Sequence, residues 1–146
     1  MRTDNVYDRL RFLRRIGGPV EAALVRRFGR SPLSVAFRVP VLVLETTGRR
    51  TGRIRATTVA YQRDVDGSLL LVAGAGGQTR TPDWVANLRA NPTVTVVIDG
   101  RRTTHTATEL TGVDRAAAWE TVRRESPRVD AYERRAGHEI PIFRLR

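Results

Sequence analysis

The most restrictive feature of the chain is a succession of short apolar, β-branched runs set apart by turn signals. The runs are residues 39–44 (Val39-Pro40-Val41-Leu42-Val43-Leu44), 57–61, 68–73, 94–98, 103–110 and 139–145. Lengths of five to eight and many branched side chains predict strands rather than helices. Asp64-Val65-Asp66-Gly67 and Asp99-Gly100 are hairpin signals between consecutive runs. Strands joined by tight turns pair antiparallel, and an antiparallel sheet of about six strands tends to close into a barrel, which removes its edges. Pro141 marks the last run as an edge or a bulge. The βαβ alternation of a dinucleotide-binding fold is missing. The expected class is therefore α+β, mainly β: a six-stranded antiparallel barrel with N-terminal helices and short flanking helices.

Helical spacing fills the intervals. Val6, Leu10, Leu13 and Ile16 share a face over residues 5–16, and Gly17-Gly18-Pro19 breaks that helix. A second amphipathic stretch runs over residues 20–28. Thr81-Pro82-Asp83-Trp84 opens a helix carrying Val85, Leu88 and Arg89, with Thr81 as its cap and Pro82 in its first turn. Trp84 is by default a core or lid aromatic, and Asn87 by default solvated. Thr111-Gly112-Val113-Asp114 resembles a capping box for a helix with Ala116, Trp119 and Val122 on one face. A short helix over residues 128–135 carries Tyr132. The chain divides into an N-terminal amphipathic helical segment, 1–36, and a barrel domain, 37–146.

Composition narrows the chemistry. The formal net charge is +11, and every one of the 26 basic residues is arginine. Without lysine there is no Walker-type phosphate lysine and no Schiff base. Without cysteine there is no thiolate nucleophile, thiolate metal ligand or disulfide, and an intracellular, cytoplasmic location is the default. Two histidines, His105 and His138, cannot build a polyhistidine metal site, so no metal is expected. No apolar run reaches membrane-spanning length. The first thirty residues hold eight arginines against three acids. A helix of that kind can lie on the inner face of an anionic membrane, or simply pack its apolar stripe on the domain while its arginines face water.

The excess of positive charge is densest in Gly48-Arg49-Arg50-Thr51-Gly52-Arg53-Ile54-Arg55, between the first two strands. Four arginines fall within seven positions, with no carboxylate among them. Backbone N–H groups, a hydroxyl and guanidinium forks together suit one multiply charged anion. A solvated hairpin tip rich in arginine is the equally simple reading. Farther along, Gly74-Ala75-Gly76-Gly77 ends the third strand. Such glycines suit backbone that turns sharply or is approached closely by something flat.

Thr46-Thr47-Gly48-Arg49-Arg50-Thr51-Gly52-Arg53-Ile54-Arg55 resembles the segment T-T-G-R-K-S-G-x-x-R of a known family. Gly76-Gly77 followed by Pro82-Asp83-Trp84-Val85-Ala86-Asn87-Leu88-Arg89-Ala90-Asn91-Pro92 resembles its G-G … P-x-W-x-x-N-L-x-A-N-P segment. By these two motifs, over residues 37–145, the chain resembles the deazaflavin-dependent nitroreductases. These are also described as quinone reductases of the split β-barrel superfamily, which includes flavin-binding pyridoxamine-phosphate-oxidase-like (PNPOx-like) proteins. The resemblance implies a split barrel and the deazaflavin coenzyme F420, whose reduced form would pass a hydride to a quinone, nitroaromatic or activated enone. It further implies that Arg49, Arg50 and Arg55 with Thr51 hold the cofactor phosphate, that Gly52 and Thr57 belong to the same cofactor-binding segment, and that Arg53 attracts the cofactor's oligoglutamate tail through long-range charge. Ala73, Gly74, Ala75, Gly76 and Gly77 would line the ring, with Trp84 and Asn87 supporting that wall.

The chain departs from the family pattern where relatives carry several tyrosines, keeping only Tyr132, which the resemblance offers as a proton donor. Gly74-Ala75 also stands where relatives show a serine and a lysine. An FMN-binding oxidoreductase on the same barrel is the nearest alternative. A non-catalytic cofactor-, nucleic-acid- or membrane-binding barrel is another, although nine aromatics form no visible ladder for base stacking. Nucleic acid is therefore not expected as a partner, and either a monomer or a dimer fits the pattern.

Overall fold

The computed structural model describes Ala23, Arg26, residues 40–74 and residues 79–146. The helix expected over 5–16 lies outside the described residues. Ala23 and Arg26, in the second expected stretch, are helical. Six strands follow the hairpin logic of the sequence: β1 (Val41–Thr47), β2 (Ile54–Arg63), β3 (Leu69–Val72), β4 (Thr93–Ile98), β5 (Arg101–Glu109) and β6 (Ile142–Leu145). They form a closed barrel in the order β1-β2-β3-β6-β5-β4, every neighbour antiparallel. Three helices occupy the longer connections: α1 (Asp83–Ala90), α2 (Gly112–Glu125) and α3 (Val129–Ala136).

Alternation divides the apolar residues between two sides of the sheet. Leu42, Leu44, Val59, Leu69, Leu71, Val94, Val96, Phe143 and Leu145 face the lumen, where Trp84, Val85 and Leu88 of α1 join them. Leu70 and Ile142 face outward and are covered by Ala118, Trp119 and Val122 of α2 together with Val129 and Ala136 of α3. The third strand is thus buried on both faces, which explains its unbroken leucine run.

Several boundaries differ from expectation for identifiable reasons. β1 runs on through Thr46 and Thr47, and β2 starts at Ile54, because Thr46 pairs with Arg55 and Thr47 with Ile54. The basic motif therefore contributes to a strand as well as a loop. α1 starts at Asp83, with Pro82 rather than Thr81 at its cap. Thr111 caps α2 by position, but its side chain makes no capping hydrogen bond, and Ala118 rather than Ala116 is buried. β6 is confined to the four residues after Pro141, whose carbonyl accepts the Ala73 N–H at 2.9 Å.

Because the strands alternate in direction, the β2–β3 and β4–β5 turns share one end of the barrel. The β1–β2 loop and all the helical connections share the other. Carboxylates secure the turn end. Asp64 receives Arg144 Nη2 at 2.6 Å and Asp66 receives Arg146 Nη2 at 2.6 Å. On the outer face Glu45, 8% exposed, accepts Arg102 through both oxygens (3.1 and 2.6 Å) and Arg26 at 2.7 Å. The Arg102 guanidinium, helped by Arg26, holds the Glu45 carboxyl below its usual value against the opposing cost of burial. Desolvation raises that of Asp64, but hydrogen bonds from Arg144 and the Val65 N–H lower it further. A depressed folded-state pKa gives stability that is complete above the unfolded value and is lost as pH falls through the folded one. Unfolding free energy is therefore expected to be level near neutrality and to fall below about pH 4.5. Denaturant titrations across pH should show a shallower acid slope for Glu45→Gln.

Candidate functional site

At the helical end of the barrel, the sequence between β1 and β2 folds into a tight loop around Gly48. The Gly48 N–H donates to Arg53 O and the Gly52 N–H to Gly48 O, both at 2.8 Å. A Cβ at Gly48 would lie 3.0 Å from Arg53 O and 3.1 Å from Thr51 Oγ1, so the loop closes only over a residue without one. Gly52 has φ +68°, the left-handed conformation that glycine adopts without steric cost. The Arg53 N–H donates to Thr51 Oγ1 at 3.2 Å, which leaves the Thr51 hydroxyl proton available to an outside acceptor.

Asn87 of α1 reaches this loop from below. It is 7% exposed, contrary to the solvated position expected from the sequence. Its Nδ2 donates to Thr46 Oγ1 and its Oδ1 accepts the Arg49 N–H, each at 3.1 Å. Thr46 is itself buried on β1. The amide accounting is then nearly complete. Gly48, Arg49, Gly52 and Arg53 have internal acceptors, whereas the N–H groups of Arg50 and Thr51 have none among the described residues.

The loop's arginines are equally uncommitted. Arg49, Arg50, Arg53 and Arg55 are exposed, and no carboxylate among the described residues pairs with them. Elsewhere, arginines are matched: Arg89 grips Glu109 through Nε and Nη2 at 2.8 and 2.6 Å, and Arg123 grips Asp130 at 2.8 Å. Arg55 is fixed best of the four. It stands on β2 directly opposite Thr46, and directly opposed residues share a face, so it projects on the same side as the buried threonine. One tight turn thus carries two neighbouring N–H groups, one hydroxyl and four exposed guanidinium forks. That combination suits an oxyanion carrying more than one charge.

The remaining candidates are spread around the barrel. Thr57 is half-buried on β2 beyond Arg55, on the side of Val59. Trp84 is 6% exposed and meets the Phe143 ring edge-on, centroids 5.9 Å apart, so it is part of the lumen core. Ala73 and Gly74 are buried at the exit of β3, where a Cβ on Gly74 would lie 3.7 Å from Ile140 Cδ1. Ala75, Gly76 and Gly77 lie outside the described residues. Tyr132 packs against the outer cluster that contains Ile140, Leu70 and Trp119. The structure therefore brings together the Arg49–Arg55 loop, Thr46 and Asn87. Tyr132 stands apart from them, on the outer face of the sheet.

Two features of the site escaped sequence reasoning. One is the close packing around Gly48; the other is the hydrogen-bonded pair Thr46–Asn87. The pairing of an asparagine one turn inside α1 with a threonine ahead of the loop is a tertiary contact, 41 residues apart in sequence. Among the described residues no group of histidines and carboxylates could hold a metal ion, and no helix is long and apolar enough to cross a membrane.

Residues 20–146 match the family model described as F420H(2)-dependent quinone reductase. The chain is 37% identical over 109 residues to F420H(2)-dependent quinone reductase Rv1261c of Mycobacterium tuberculosis, covering 73% of this chain and 72% of that protein. Among solved structures, an F420-H2 dependent reductase (FDR-A) superposes with TM-score 0.66 at 30% identity, covering 73% of this chain and 94% of the other. The heme storage protein HutZ of Vibrio cholerae superposes with TM-score 0.54 at 13% identity, over 80% of this chain and 88% of that one, a likeness of fold alone.

Proposed function

The chain belongs to the F420H(2)-dependent quinone reductase family, an oxidoreductase family that works with coenzyme F420, and from that premise we propose that the Arg49–Arg55 loop is its cofactor-phosphate cradle. When bound, the reduced deazaflavin supplies a hydride to an electron-poor acceptor. The observation that carries the assignment is the set of uncommitted donors at the loop. In a protein whose described carboxylates are largely taken by other arginines, Arg49, Arg50, Arg53 and Arg55 have no ion-pair partner among the described residues and stand beside the N–H groups of Arg50 and Thr51.

In this reading the protein's own share is binding and orientation. Arg49 and Arg55 neutralise the phosphate, the Thr51 hydroxyl donates to it, and Gly52 lets the backbone turn beneath it. Ala73 and Gly74, backed by Ile140, offer a smooth wall to a flat ring, and Trp84 stiffens the core behind that wall. Acceptors extend from quinones to nitroaromatics and activated enones, since hydride transfer selects for electron deficiency rather than for one shape. No cysteine or lysine is required for such a step.

Mixing reduced F420 anaerobically with the protein and a quinone tests this reading. Cofactor reoxidation is expected only when protein and quinone are both present. Equal rates without the protein would remove the assignment. Added FMN is expected to leave the melting temperature unchanged, whereas F420 raises it by mass action.

A further inference from the structure

Asn87 is buried, yet its two polar atoms join parts of the molecule with different roles. Its Nδ2 is anchored on Thr46, a residue 1% exposed within β1. Its Oδ1 reaches out of the core to the backbone N–H of Arg49, at the start of the basic loop. Asn87 sits on α1, whose Trp84, Val85 and Leu88 are locked into the lumen core. The loop's internal hydrogen bonds, Gly48 to Arg53 and Gly52 to Gly48, fix its shape. The β1–β2 ladder holds its two ends, with Thr47 opposite Ile54, but neither set of bonds ties the loop to α1. Between the loop and α1, the only hydrogen bond among the described residues is the one from Arg49 N–H to Asn87 Oδ1.

We propose that Asn87 is a positioning residue for the anion cradle, holding the Arg49 amide so that the N–H groups of Arg50 and Thr51, which have no acceptor among the described residues, are set for the anion. The idea rests on the cradle assignment and adds to it a cause. With the Arg49 N–H engaged by a side chain, the peptide planes that follow are set before any ligand arrives. Their donors then need little reordering on binding, which is where preorganised sites gain affinity. Without Asn87 the Arg49 N–H would compete with its neighbours for the ligand, and the turn would be free to rock about Gly48 and Gly52. Thr46 matters at one remove. It gives the asparagine amide a fixed acceptor and so selects which amide edge faces the loop.

The experiment compares two probes on the whole protein, oxidised F420 and the phosphate-free deazaflavin riboside that shares its ring. Asn87→Ala is expected to weaken F420 binding by about tenfold while leaving riboside affinity unchanged, tenfold being the loss of one well-made hydrogen bond. Thr46→Val, which keeps the core volume, is expected to weaken F420 by a smaller factor, again sparing the riboside. Riboside binding and the melting curve report that each variant is folded. Unchanged F420 affinity in Asn87→Ala would overturn the proposal, and so would an equal loss for both probes, which would place Asn87 in the ring wall or the general core. Failure of the cradle assignment itself is distinguishable, because Arg49→Ala would then also leave F420 affinity unchanged, whereas failure of the positioning role alone leaves Arg49→Ala weakened.

Discussion

Arg55→Ala is expected to weaken binding of oxidised F420 by about thirtyfold, the scale of one charge-assisted hydrogen bond lost from a partly desolvated anion. Arg55 is the sharpest choice because its backbone is held in β2 opposite Thr46, so the substitution removes a fork without loosening the loop. Arg101→Ala is the matched control. Arg101 is also exposed, and opens β5 at the opposite end of the barrel, beside the Asp99-Gly100 turn. Fluorescence titration at two salt concentrations should show a shallower salt dependence for Arg55→Ala than for the wild type, and an unchanged curve for Arg101→Ala. If both variants bound like wild type, the phosphate would have to be held elsewhere.

Trp84→Ala is expected to have the largest effect on stability, about 3–5 kcal/mol, as for other large-to-small changes of buried aromatics. Trp84 fills the lumen at the helical end, and its edge-on packing on Phe143 joins α1 to β6. For a domain of this size the loss corresponds to a fall in melting temperature of roughly 10 °C. Trp84→Phe separates stability from binding. It retains most of the buried volume, so it should recover most of the lost stability. F420 affinity close to wild type in Trp84→Phe marks the tryptophan as a support of the cofactor wall. Affinity reduced in a stable Trp84→Phe protein would mark it as a ligand contact.

Much of the architecture was legible because barrel strands announce themselves locally. Turn chemistry at Asp64–Gly67 and Asp99-Gly100 defines two hairpins, and the leucines of 69–71 mark a strand covered on both faces. What was not legible is what depends on partners far along the chain. Thr46 and Thr47 read as turn residues, yet pairing with Arg55 and Ile54 draws them into β1. Asn87 looks like an exposed helix residue until the barrel brings Thr46 and Arg49 to it. The placement of Tyr132 is equally nonlocal. Its amphipathic helix shows that it will pack, but not on which side of the sheet. The charge of the basic loop was plain from the sequence. That its guanidinium groups have no carboxylate partner among the described residues required the folded arrangement of Glu45, Asp64, Asp66 and Glu109 around other arginines.

The separation of the two barrel ends has an evolutionary corollary. Tight turns and the Asp64–Arg144 and Asp66–Arg146 pairs serve folding, while the residues assigned to the cofactor lie in the β1–β2 loop and the long connections at the opposite end. Insertions or exchanges in those connections can retune which oxidant is accepted while leaving the closure of the barrel untouched. A library built to alter acceptor choice should therefore be diversified at the helical end, with the turn end held constant as a chassis.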